Sequence, residues 1–147
     1  MSTNTLTTER AAIIGVIEPD VNGAAAYDSD EVDMSLWGSI QAVVMAGDFG
    51  SSATLDFKLQ SATSSGGSFS DVTGKAITQL TQAGTDADKQ AVINLRVDEL
   101  TSGHRYVKAV MTVGTASVNS ASIVLGFDAR HAPASDNDLS SVDEIVS

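Results

Sequence analysis

The chain has 147 residues, 8 basic against 19 acidic side chains, a formal net charge of -11 and no cysteine. A length of this order supports one domain with a buried core that needs no metal or disulfide. The charge repels nucleic-acid phosphates and anionic membrane surfaces, and the missing thiols exclude disulfides, thiolate catalysis and cysteine-ligated zinc.

Residues 1–10, MSTNTLTTER, are polar and aperiodic. They lack the basic and apolar segments of a signal peptide and read as an arm. No apolar run in the chain approaches the roughly 20 residues of a membrane helix, so a soluble protein made in the cytoplasm is expected. AAIIGVI (11–17) has the length of a short strand. Residues 18–33 carry Glu18, Asp20, Asp28, Asp30, Glu31 and Asp33 and no base. With Pro19 and Asn22-Gly23 as turn signals, they read as an exposed loop. VDMSLWG (32–38) alternates with period two, and SIQAVVMAG (39–47) is more uniformly apolar and fits a buried strand. ATLDFKLQSA (53–62) sets Leu55, Phe57 and Leu59 against Asp56, Lys58 and Gln60, which predicts a strand with one wet face.

TSSGGS (63–68) is a flexible loop, FSDVTG (69–74) a short strand, and 75–90 mostly loop. AVINLRV (91–97) alternates as a strand and DELTSG (98–103) is a turn. HRYVKAVMTV (104–113) places Val107, Ala109, Met111 and Val113 on one face. A turn over 114–119 then suggests SASIVLGFDAR (120–130) as its antiparallel hairpin partner. The pattern predicts an all-β fold: one antiparallel β-sandwich or jelly-roll-like domain over 11–133, with about seven or eight short strands. Arms at 1–10 and 134–147 flank it. In the acidic tail, Leu139, Val142, Ile145 and Val146 recur at helical spacing, and Ser141 with Glu144 fits a weak capping box. So short a segment needs a surface to lie on.

No chemical motif survives inspection. There is no G-x-S-x-G elbow for a serine nucleophile and no phosphate-binding loop. No acid pair stands out for glycosidase work, and sugar-stacking aromatics are scarce. DSDEVD (28–33) opens like a calcium loop, but the sixth position is Asp33 rather than Gly and the twelfth is Ser39 rather than Glu. That leaves a looser calcium site at Asp28 and Asp30, or at Asp136 and Asp138, as an open reading. His104 and His131 do not suffice for zinc. The expectation is a protein without enzymatic activity or cofactor.

In FDARHAP (127–133), Arg130 and His131 follow the last apolar strand, and Pro133 stops further pairing. One reading has Arg130 neutralising Asp128. The other has the chain leaving its domain here to reach a partner. The apolar residues of the tail favour the second, because they gain nothing in water. Contact residues are therefore expected at Ile13, Ile14, Val16, Arg130, His131, Pro133, Leu139, Val142, Ile145 and Val146.

ATLDFKLQSATSSGGSFSDVTGKAITQLT, then AVINLRVDEL, then HRYVKAVMTVGTASVNSASIVLGFDARHAPAS together resemble a family of small structural proteins of tailed bacteriophages, over roughly residues 32–135. The genes of that family commonly lie beside the major capsid protein gene. The resemblance implies a virion component assembled in the host cytoplasm. A capsid decoration (cement) protein is expected, bound to the major capsid protein and to copies of itself, a trimer being the form such proteins often take. Head–tail joining or tail-tube placement, and a carbohydrate-binding or fibre-base module, are the alternatives. Decoration would act mechanically, many weak contacts adding up by avidity. The arms, AAIIGVI and the tail, would add strands to a neighbour's sheet edge.

Overall fold

Alternation decides the architecture, because every long strand has one face that must leave water. In the computed structural model, which describes residues 4–147, those faces meet between two packed antiparallel sheets. A single helical turn, α1 (Thr7–Arg10), leads into β1 (Ala11–Asn22). Then come β2 (Ala25–Asp28), β3 (Val32–Asp33), β4 (Trp37–Phe49), β5 (Thr54–Ala62) and β6 (Ser70–Ala76). The chain finishes with β7 (Leu80–Thr81), β8 (Gln90–Arg96), β9 (Tyr106–Gly114) and β10 (Val118–Ala129). The first sheet has the order β1-β10-β4-β8. In the second, β9 and β5 are central; β2 and β3 share the β9 edge, and β6 and β7 share the β5 edge. The all-β sandwich-like class read from the sequence is the class observed.

The core fills from both inner faces. β4 supplies Ile40, Ala42 and Val44, β8 supplies Ile93 and Leu95, β5 supplies Leu55, Phe57 and Leu59, and β9 supplies Val107, Ala109 and Met111. Each such aliphatic burial stabilises by about 1.5–3 kcal/mol before chain entropy is charged against it. Trp37 caps the layer at one end. Its indole lies flat against β10 because residue 126 is glycine: a Cβ there would stand 2.6 Å from Trp37 Cδ2 and 2.8 Å from Ile14 Cδ1.

Several expectations are corrected. Residues 18–33 are not one loop, since β1 continues to Asn22 and β2 and β3 follow. Asn22 is buried, and its amide donates to Ser120 O and Ser120 Oγ, which ties the acidic stretch to β10. The 32–38 stretch does not make one strand: β3 has two residues, and a turn precedes Trp37. β4 is buried on one face only, with Gln41, Val43 and Met45 turned outward. β9 and β10 do not form a hairpin. β9 pairs with β5, whereas β10 pairs with β1 and β4 in the other sheet. Residues 115–117 carry the chain over the corner, with Thr115 in a left-handed conformation (φ 70°) and Gly50 N–H donating to Ser117 O. An arch between sheets and a hairpin within one need equally short links, and alternation is the same for both. The tail forms no α-helix: one 3-10 turn, Ala134–Asn137, is followed by irregular chain.

Candidate interaction surface

The two outer faces of the sandwich differ in kind. On the second sheet the charged outward side chains are paired. Lys58 Nζ lies 2.8 Å from Asp71, Lys108 Nζ lies 2.7 Å from Asp28 and packs over the Phe69 ring, and Gln79 donates to Asp56. At its end Arg105 grips Asp33 with two hydrogen bonds, of 2.8 and 2.7 Å. The Arg105 guanidinium holds the Asp33 carboxyl well below the usual carboxylate range, with the Ser35 N–H helping. Asp71 is lowered by Lys58 and Gln60.

In the three rows from Ala11 to Val16 the outward positions of the first sheet carry no carboxylate; beyond them Glu18 is exposed on β1, and Asp128 on β10 reaches Ser39 Oγ. Register places Val16, Ile123, Val43 and Val92 opposite one another, one from each of the four strands. The next rows are Ile13–Leu125–Gln41–Asn94 and Ala11–Phe127–Ser39–Arg96, with Ala121–Met45–Gln90 on the other side. Met45 and Val92 are 51% and 49% exposed. In a chain with 19 acids, an apolar face four strands wide with so few of them is the candidate contact surface. Acids stand at its margins: Asp20 and Asp88 line a cleft with Met45, and Glu144 lines one with Leu125 and Phe127.

The chain covers part of both edges of this sheet, more at β1 than at β8. At β1, Asp138 Oδ1 accepts from Ile13 N–H (2.7 Å), Leu139 N–H donates to Ile13 O (2.9 Å), and Asp30 Oδ2 accepts from Val16 N–H (3.1 Å). At β8, Lys75 Nζ donates to Asn94 O (2.8 Å) and to Glu99 (3.0 Å). Unpaired strand edges invite pairing with other chains, and these are blunted. AAIIGVI is therefore an internal strand whose free edge is already occupied, not an arm free to join a neighbour.

The sequence-derived contact residues fall into three groups. Ile14 is buried in the core, which takes it off any surface; the bulge at Ile13–Gly15 turns it inward while Ile13 and Val16 stay on the outer face. Arg130 and His131 are exposed at the end of β10, where Arg130 N–H donates to Leu36 O. Arg130 makes no ion pair with Asp128; the Asp128 carboxylate instead accepts from Ser39 Oγ (3.2 Å). Pro133 is half-buried and the neighbouring Ala134 fully buried, which pins the start of the tail. Leu139 and Val142 are half-buried beside β1, whereas Ile145 and Val146 are 43% and 84% exposed. The outward residues of β4, β8 and β10 escape the sequence reading. Their signal was present, as apolar residues at both parities of 39–47 and 120–130, but it reads equally as full burial.

For catalysis, Ser61 Oγ lies 2.7 Å from His104 Nδ1. Ser61 is only 2% exposed, and among the described residues no carboxylate bonds the imidazole. A nucleophile shut off from substrate with no group orienting its base is a structural hydrogen bond. Of the calcium candidates, Asp28 binds Lys108, and Asp30 and Asp138 accept backbone N–H groups of β1. Among the described residues no group of three or more acidic, histidine or cysteine side chains is placed to hold a metal ion. No protein-family model matches this chain, and no curated protein matches it.

Proposed function

We propose that the protein is a non-enzymatic structural subunit of a tailed-phage virion, a decoration protein that docks on the outer shell and reinforces it through many repeated contacts. The observation that carries this reading is the convergence of the two chain ends. α1 and the tail meet beside β1 and β10, where Thr7, Thr8, Ile13, Leu125, Val142 and Ile145 line one groove. Exposed Leu6 and Val146 stand on the same two segments. Apolar groups held at the surface by ordered terminal segments gain stability when a neighbour covers them. A subunit present in many copies needs only a weak contact of this kind, because avidity multiplies it. The resemblance of residues 32–135 to phage structural proteins supplies the particle, and the charge of -11 keeps its exterior dispersed.

The test is binding to undecorated shells of the encoding phage. Saturable coating over the whole shell is expected. Removing residues 143–147, which spares Asp138 and Leu139, should weaken it at least about tenfold with an unchanged Tm. Full-strength binding by the truncated protein overturns the assigned surface, and no binding by the full chain overturns the function. Occupancy confined to one ring at a vertex would mean a joining or tail role instead.

A further inference from the structure

We infer that the outer face of the first sheet pairs, face to face, with the same face of a second copy of this chain about a two-fold axis running along the strands. The inference goes beyond shell docking and does not depend on it.

Three observations select this occupant. Lateral strand pairing is hindered, because Asp30, Asp138 and Leu139 occupy positions along the β1 edge and Lys75 covers the Asn94 carbonyl at the β8 edge, which favours association through the face of this sheet. The central row is self-complementary: it reads Val16–Ile123–Val43–Val92 from β1 to β8. A two-fold along the strands lays β1 over the partner's β8 and β10 over the partner's β4. Valine then meets valine at the flanks and isoleucine meets valine at the centre, which is how sheets of a sandwich pack.

The third observation is charge. Among the described residues only Arg10 and Arg130 of the eight basic side chains are outside an ion pair. Arg10 stands where β1 begins, and Asp98 and Glu99 stand where β8 ends. These are opposite edges of the same end of the sheet, since Ala11 and Arg96 share a row. The same axis brings Arg10 of each copy toward the Arg96, Asp98 and Glu99 cluster of the other, in which the two acids outnumber the one base. Elsewhere two copies of a chain at -11 repel, and the face poorest in acids is where they can approach.

Size sets the strength. Four strands about 4.8 Å apart, over four rows of side chains, give roughly 400 Å² per copy. That is about half of the ~800 Å² per partner of a stable complex. The pairing is therefore weak in solution, with a Kd on the order of 100 µM, and is strengthened by salt that screens the acids.

Sedimentation equilibrium of the full chain, from about 1 µM to about 1 mM protein, tests this at low and at high salt. A monomer–dimer equilibrium is expected. Val92→Glu should raise Kd at least about tenfold with an unchanged Tm, since Val92 is already half exposed; Met45→Glu is the second variant should the first fail to fold. Thr112→Glu, on the outer face of the second sheet, should leave Kd as it is. Arg10→Glu should weaken pairing about threefold, and adding Asp98→Arg should restore it. A monomer at every concentration, a trimer, or a dimer indifferent to Val92→Glu and Met45→Glu overturns the inference. Shell binding is scored separately, well below the dimer Kd, because the docking groove and the paired face share Ile13 and Leu125: monomers that coat shells and never dimerise at higher concentration sink this pairing and spare the decoration role, and dimers whose monomers ignore shells do the reverse.

Discussion

The outer faces of the two sheets are built from the same strand chemistry and answer water differently. The second sheet spends its outward positions on ion pairs, Lys58–Asp71, Lys108–Asp28 and Arg105–Asp33. The first spends them on Val43, Met45, Val92 and Ile123 and keeps its acids at the margins and edges. A surface ion pair contributes little stability and much solubility. An outward valine or isoleucine does the opposite job, gaining only when something covers it. The difference teaches that in an acidic chain the informative surface is the one from which acids are missing. The acids around that surface also have tasks: Asp30 and Asp138 stand in for a neighbouring strand along β1.

The largest expected effect strikes beneath the first sheet. Gly126→Ala forces the Trp37 indole off β10 and should cost about 2–3 kcal/mol, the range of overpacked cores. Trp37 is the only tryptophan, so its fluorescence reports the displacement directly. An unchanged spectrum and Tm would mean that the sheet does not rest on that contact.

Next is the edge. Removing residues 138–147 uncovers the Ile13 N–H and C=O and should cost about 1–2 kcal/mol, with aggregation by strand pairing. The check is urea unfolding together with light scattering. A truncated chain as stable and monodisperse as the full one breaks the claim that the tail closes this sheet.

A gain is expected from Ser122, whose buried hydroxyl on the inner face of the first sheet has no hydrogen-bond partner among the described residues. Ser122→Ala removes that cost and should stabilise by about 1 kcal/mol, a Tm rise of roughly 2–4 °C.

The smallest effects belong to the second sheet's outer face. Asp33→Asn should lower the Tm by no more than about 3 °C at pH 7, because half-exposed Arg105 leaves the pair open to solvent screening. The sign with pH follows from linkage. The folded Asp33 carboxyl lies below its ordinary value of 3.8, so its contribution is full above that value and is lost as pH falls through the folded one. The Tm gap between wild type and Asp33→Asn should therefore stay constant down to about pH 4 and narrow progressively in stronger acid. A gap that persists in acid would assign the effect to packing instead.

Much of this was legible in the residues. Leu55, Phe57 and Leu59 against Asp56, Lys58 and Gln60 announce β5 and its wet face, and Val107 to Val113 announce β9 and its buried one. The tail's apolar positions announce a segment that needs support, though not its conformation. The candidate surface was legible only in part. Ile13 and Val16 were visible in the sequence, but Ile14 between them goes to the core because a bulge breaks the period there.

By itself the sequence determined the strand content, the parity of inside and outside along most strands, and the absence of a thiol or an obvious catalytic motif. These are local properties, set by side-chain alternation and turn residues. Only the tertiary structure decided that β10 leaves β9 for the other sheet and that two aspartates and the tail seal β1. It also decided that four apolar stripes, far apart in the chain, line up as one open face. Pairing partners are chosen by which inner faces fill the core together, and that choice is invisible in any single strand.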